Sequence, residues 1–291
     1  MLLLAVVVIA WGFSWYAIAL QVGDVSPLVS IAWRFGLAGL TLLLWLLIRG
    51  RLALPPSCYR VRVALLGACL FCANFICFYH ATRFIPSGLV SIVFAMATFF
   101  NVFNQWVWLK IKPDLRTVTG AFIGMCGITL VFAPVLLGES DSAAGSTVKG
   151  LALSILGTCF FSAGNLVSAS ITKHTHLPSV VAIAMLFGAF LCALTAIASG
   201  HNLYIPRDII YLSALVYLAI GASVVAFIAY LTLIENEGAA RASYATILFP
   251  LIALTVSSFA EGYNWTATAA IGVAIALSGA CLVFHRPDKL E

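Results

Sequence analysis

Gly120-Ala-Phe-Ile-Gly124-Met-Cys-Gly127-Ile-Thr-Leu130-Val-Phe132 returns 152 residues later as Gly272-Val-Ala-Ile-Ala-Leu-Ser-Gly279-Ala-Cys-Leu282-Val-Phe284. Without a gap, the same offset lays Gly12 on Gly164, Val29 on Val181, Ile31 on Ile183, Ala32 on Ala184, Phe35 on Phe187, Gly36 on Gly188 and Ser91 on Ser243. Apolar chains match themselves by chance, but glycines that coincide at one offset in several segments mark an internal duplication. The copies cover residues 1–137 and 150–284, with 138–149 as a linker and 285–291 as a tail.

The duplicated unit belongs in a membrane. Of 291 residues, 63% are apolar and 9% charged, and the mean hydropathy is +1.10, whereas a soluble domain carries about a quarter charged residues. A helix crosses the ~30 Å hydrocarbon core with about 20 apolar residues, and the runs here lack the alternation of a barrel strand. Ten runs are legible: 2–20, 28–48, 61–82, 87–109, 117–137, 150–172, 179–199, 209–234, 242–260 and 265–284. The expected fold is an all-α membrane protein of ten transmembrane helices. Five per copy is odd, so the second copy enters from the opposite face. That makes a 5+5 inverted repeat around a central cavity, the design by which secondary transporters open one site to either side in turn.

Lys and Arg number 15 against 10 Asp and Glu, a net +5, and they are scattered over short connections. Nucleic acid is therefore not an expected partner. Eleven of them, from Arg49 and Arg51 to Arg286 and Lys289, share the side of the amino terminus, against Arg83, Lys149 and Arg207 on the other. The positive-inside bias then puts both termini in the cytoplasm, and a bacterial-type inner (plasma) membrane is the expected location. Seven of the eight cysteines lie inside apolar runs, where Cys packs as a small hydrophobe. The opening Met1-Leu-Leu-Leu lacks a basic leader and a cleavage site, so the first run reads as a retained helix. With no phosphate loop, no HExxH and no Ser–His pairing, the chain reads as neither an ATP-driven pump nor an enzyme, and no metal or cofactor is expected.

Polar side chains in mid-bilayer normally face the bundle interior or a wet cavity. Trp11, Ser14 and Trp15 share a face of the first run, Asn74 with Phe75, Phe78 and Tyr79 a face of the third, and Phe161 with Asn165 and Ser168 a face of the sixth. Asn101, Asn104, Gln105 and Trp108 fall at i, i+3, i+4 and i+7 as an amide stripe, and Tyr230 and Tyr244 complete the set. Neutral amides, hydroxyls and rings suit a small, uncharged or zwitterionic solute with an apolar part, a description that neutral amino acids fit. The plainer alternative is that the amides only bond helix to helix. Arg34, about two turns into the second run, either snorkels, braces a neighbour or meets a substrate carboxylate. No Asp or Glu occupies the centre of a run, which argues against proton coupling, with His80 as the one group able to reverse that reading. Hinges are expected at Pro86, Gly88, Gly238 and Pro250, with Pro250 bending the ninth run where the fourth has Thr98.

Trp11-Gly12-Phe-Ser14, Arg34-Phe35 and the two closing glycine segments resemble the EamA pattern of the drug/metabolite transporter superfamily over essentially the whole chain. The resemblance implies a ten-helix inverted repeat in which helices one to four and six to nine ring a cavity, with five and ten outside. Within the family the chain is similar to amino acid exporters of the YddG type, which implies export of aromatic and other neutral amino acids by alternating access. Where the family often carries Gly-Glu after helices four and nine, this chain has Leu109-Lys110 and Glu261-Gly262. A passive channel, a structural subunit or an exporter of drugs or other metabolites are the competing readings. The chain is expected as a monomer or weak homodimer, with Gly120, Gly124 and Gly127 able to seat a close helix contact.

Overall fold

The computed structural model describes residues 2–23, 25–138, 141–171, 174–237 and 244–284, and every regular element among them is helical. Helix α1 spans Leu2–Leu20 and α2 Pro27–Ile48. Helices α3 (Arg60–Ala68) and α4 (Asn74–Ala81) form one rod through a π-helical turn, Cys69–Ala73. Helices α5 (Ser87–Ala95) and α6 (Ala97–Leu109) meet at Met96 with a 44° bend. Then come α7 (Leu115–Gly138), α8 (Asp141–Ile171) and α9 (Leu177–Ala198). Helices α10 (Ile209–Val216) and α11 (Ala226–Glu237) share a second π-helical stretch, Tyr217–Val225, before α12 (Tyr244–Ala260) and α13 (Ala267–Phe284).

Local chemistry sets several of these boundaries. Proline opens both α2 and α9, where its missing N–H costs nothing. Both helices close on a glycine in the left-handed region, Gly50 at φ 62° and Gly200 at φ 78°. There the following N–H reaches back, Arg51 to the Leu46 carbonyl and His201 to that of Ala196, each at 2.9 Å. Asp208 caps α10 by accepting from the Tyr211 N–H at 2.8 Å.

Among the described residues, seven helical stretches are long and apolar enough to cross a membrane, and the bent α5–α6 pair makes an eighth. Helices α12 and α13 are apolar but shorter, so length and composition alone stop short of the ten crossings expected. The predicted linker 138–149 is also largely helical, because α8 starts at Asp141. The tail from 285 onward, like Gly238, lies outside the described residues.

Helix α2 packs on α9, α7 on α13, α1 on α12, and α4 and α6 on α8. The duplicated glycines explain the α7–α13 pair. A methyl group on Gly127 would stand 2.3 Å from the Ala276 nitrogen and 2.6 Å from the Gly272 oxygen, and one on Gly279 would stand 2.6 Å from the Gly120 oxygen. The motif expected to serve a contact between chains is thus consumed within this one. Close packing of this kind, rather than the hydrophobic effect, holds helices together in lipid.

Helix α12 runs unbroken through Pro250, while the fourth run breaks at Met96, whose ψ of 0° interrupts the helical ladder. Gly88 is no open hinge: a Cβ there would lie 2.7 Å from the Leu254 Cα and 2.8 Å from the Ser257 Cβ. Pro86, just ahead of it, is the N-cap residue of α5.

That contact sits beside a carboxylate clamp. Glu261, one residue past α12, accepts from the Ser87 N–H at 3.1 and 3.2 Å, from the Ser87 hydroxyl at 2.6 Å and from the Ser257 hydroxyl at 2.5 Å. Ser87 opens α5, so Glu261 caps a helix from another part of the chain, with its negative charge on the positive end of the helix dipole.

Candidate functional site

Between these helices lies a cavity of about 320 Å³. Eight of the ten residues read as substrate-facing line it: Trp11, Ser14, Trp15, Asn74, Phe78, Asn101, Asn165 and Tyr230. Tyr79 does not. It is fully buried and donates from its hydroxyl to Gln21 Oε1 at 2.7 Å, one residue on from the cavity-lining Phe78. Tyr244 opens α12 and is 40% exposed, while Thr246 two residues on lines the cavity. A helix turns about 200° in two residues, so the two project oppositely. The amide stripe splits as well: Asn104 donates to the Ser162 hydroxyl at 2.8 Å and Asn165 to Asn101 Oδ1 at 3.3 Å, but Gln105 and Trp108 face outward.

One end of the cavity is a ring cluster. Phe94 stands at its centre, with ring centroids 5.5 Å from Trp15, 5.5 Å from Phe78, 4.6 Å from Phe161 and 5.9 Å from Phe249. Phe94 is seven residues along α5 from Ser87, so the rings lie about 10 Å from the Glu261 clamp. Tilted and edge-on pairs of this sort bring ring edges onto ring faces and hold each side chain in a defined place.

The two π-helical stretches border the same cavity, one through Leu70 and Phe71, with Asn74 just past it, and the other through Ala222 and Ser223. A π-helical turn adds a residue and leaves a carbonyl without its usual partner, which is why such turns gather where a helix must offer polar groups sideways. Here the Trp11 indole N–H donates to the Ala222 carbonyl at 3.2 Å, and the Tyr217 hydroxyl to the Ala10 carbonyl at 2.8 Å. No residue type announces a π turn, so the sequence gives no sign of either. Trp11→Phe is expected to lower stability by about 1 kcal/mol, the worth of one hydrogen bond. It should keep the aromatic wall against Tyr230, whose ring lies 5.1 Å away, and the melting midpoint in detergent measures the loss.

Arg34 does not snorkel. It is 4% exposed and lines the cavity, its guanidinium 4.5 Å from the Phe75 ring centroid and 4.9 Å from that of Phe35. Its Nε donates to the Ser223 hydroxyl at 3.4 Å, and one terminal nitrogen has no hydrogen-bond partner. Among the described lining residues none carries a carboxylate. The arrangement can hold one compact solute among rings, neutral amides and a single guanidinium.

The model of the EamA-like transporter family matches residues 1–133 and again 148–285. The chain belongs to the EamA-like transporter family. This EamA chain is 27% identical over 276 residues to the inner membrane transporter YedA of Escherichia coli (strain K12), covering 92% of this chain and 87% of that one. It is 25% identical over 269 residues to protein PagO of Salmonella typhimurium, covering 90% and 85%, and 22% identical to the transporter YvbV of Bacillus subtilis (strain 168), covering 97% and 90%. A solved crystal structure, 20% identical, shares the fold with a TM-score of 0.68 over 97% of this chain and 94% of that one. The family is one of transporters, not enzymes, and the apolar helices make this member a multi-pass membrane protein.

Proposed function

We propose that this EamA protein is a secondary transporter that exports neutral amino acids, aromatic ones included, and related small metabolites across the inner membrane without proton coupling. The cavity carries the reading: rings for an apolar side group, amides for an ammonium, and a guanidinium for a carboxylate, with no acidic residue among its described lining. Proton and cation coupling normally engages an intramembrane acid, and this lining offers none.

Alternating access between two inverted halves is the proposed mechanism. It is supported by the family match falling twice, on residues 1–133 and 148–285, and by the packing, in which α1 against α12 corresponds to α8 against α6 once the 152-residue offset is applied. The two π-helical stretches also overlap under that offset, Cys69–Ala73 falling on 221–225. Inner-membrane placement with cytoplasmic termini follows from the basic connections and accords with the name of YedA.

Purified protein in liposomes, offered labelled amino acids with and without a pH gradient, tests the proposal. Saturable counterflow of a neutral amino acid that ignores the gradient is expected. Strict dependence on the gradient would overturn the uncoupled mechanism, and flux without saturation or counterflow would mean a passive channel.

A further inference from the structure

Arg34 is difficult to explain as a structural residue. A guanidinium removed from water costs several kcal/mol unless it is paired, and pairing with a carboxylate is the usual remedy. Among the described residues Arg34 has none: it lies beside the neutral phenols of Tyr79, which also hydrogen-bonds it, and of Tyr217, its other contacts are the faces of Phe35 and Phe75 and the Ser223 hydroxyl, and one terminal nitrogen is unpartnered. Hydroxyls and ring faces ease a positive charge without neutralising it. The residue lies in the wall of the cavity, with its unpartnered nitrogen buried there.

We infer that Arg34 anchors the substrate by a single carboxylate, so that the cavity selects solutes carrying one carboxylate on an apolar body and the ammonium group of an amino acid is dispensable. The planar fork of a guanidinium matches a carboxylate with two parallel hydrogen bonds. Entry of the anion would satisfy the unpartnered nitrogen and pair the buried charge in one step. Two negative charges on the solute would exceed what one guanidinium offers, since Arg34 is the charged residue among the described lining. The Phe35–Phe75 ring pair, centroids 4.8 Å apart, flanks the guanidinium and shares the cavity wall with it. This inference rests on the amino acid reading for the apolar part of the solute but adds the group by which it is recognised.

Three probes separate the contributions: phenylalanine, 3-phenylpropanoate, which keeps the carboxylate and lacks the ammonium, and phenethylamine, which does the reverse. Binding is followed in detergent by the fluorescence of Trp11 and Trp15, both in the cavity wall. Wild-type protein is expected to bind the two acids and to bind phenethylamine at least tenfold more weakly, a comparison that requires no variant. Arg34→Gln is expected to weaken both acids tenfold or more and leave the amine unchanged, with Arg34→Lys recovering part of the loss, each variant's folding being followed by its melting midpoint. Amine binding as tight as acid binding, or an Arg34→Gln protein that binds phenylalanine like the wild type, would overturn the carboxylate anchor and leave the amino acid reading standing. Binding of 3-phenylpropanoate with no amino acid bound or transported would do the opposite. Failure of both acids to bind would reject the anchor outright.

Discussion

Gly127→Ala is expected to destabilise the protein by about 1–3 kcal/mol, the range for forcing extra volume into a packed interior. Gly124→Ala, three residues away on the same helix, is expected to be close to neutral. The added methyl group is identical, and so is the helix-propensity gain of about 1 kcal/mol for replacing glycine by alanine. The difference lies in what each methyl meets. At Gly127 the neighbours are backbone atoms of α13, the Ala276 nitrogen at 2.3 Å, the Gly272 oxygen at 2.6 Å and the Ala276 Cα at 2.7 Å. None of these can rotate away, so the helices must part. At Gly124 the neighbours are the ring edge of Phe99 at 2.6 Å and the Met96 methyl at 2.9 Å, which can swing aside. Parting α7 from α13 forfeits dispersion contacts along the pair, and in lipid no hydrophobic term compensates. Paired melting curves in detergent measure the contrast. Equal midpoints for the two variants would mean that the backbone contact carries no stability.

The same glycines show how much of this molecule is written in its sequence. Hydropathy located the helices, and the 152-residue offset singled out Gly120, Gly127, Gly272 and Gly279, which meet one another crosswise in the folded chain. The cavity wall was legible where a polar residue or a tryptophan stood in mid-run, as with Trp11, Asn74, Asn101 and Asn165. Four features were not legible. Phe94 and Phe249 are indistinguishable by type from lipid-facing phenylalanines, so their place in the ring cluster emerges only once α5 and α12 are brought together. The π turns leave no compositional trace. Arg34 lies about 10 Å from the start of α2, within reach of a snorkelling side chain, and only the packing of the α4 residue Phe75 over its guanidinium shows that it points inward. Glu261 read merely as a departure from a family pattern, because a capping partner 174 residues away in sequence lies beyond any local rule.

Glu261→Ala is expected to cost about 2–4 kcal/mol, combining the loss of a helix cap with that of charge-assisted hydrogen bonds. The carboxylate receives the Ser87 N–H, the Ser87 hydroxyl and the Ser257 hydroxyl, and both serines are fully buried. Removing it leaves an N–H at the start of α5 with no acceptor, in a place that water reaches poorly. The Ser257 hydroxyl fares better, since inside α12 it can turn to a carbonyl one turn back, as the Ser91 hydroxyl does to Gly88 at 2.6 Å, whereas Ser87 opens α5 and has no helix carbonyl behind it. Glu261→Gln keeps one acceptor oxygen at the helix end and loses the charge that favours the positive pole of the dipole, so a smaller cost of about 1 kcal/mol is expected. The clamp also joins α5 to α12 where Gly88 lets them touch, so its removal should loosen that end of the bundle before the rest unfolds. A cysteine placed at Leu89, buried beside the clamp, should react with a water-soluble maleimide faster in the Glu261→Ala background than in the wild type. It should do so in Glu261→Gln only marginally. Equal labelling rates in all three backgrounds, with equal melting midpoints, would show that the backbone contact at Gly88 closes this end without help from the carboxylate.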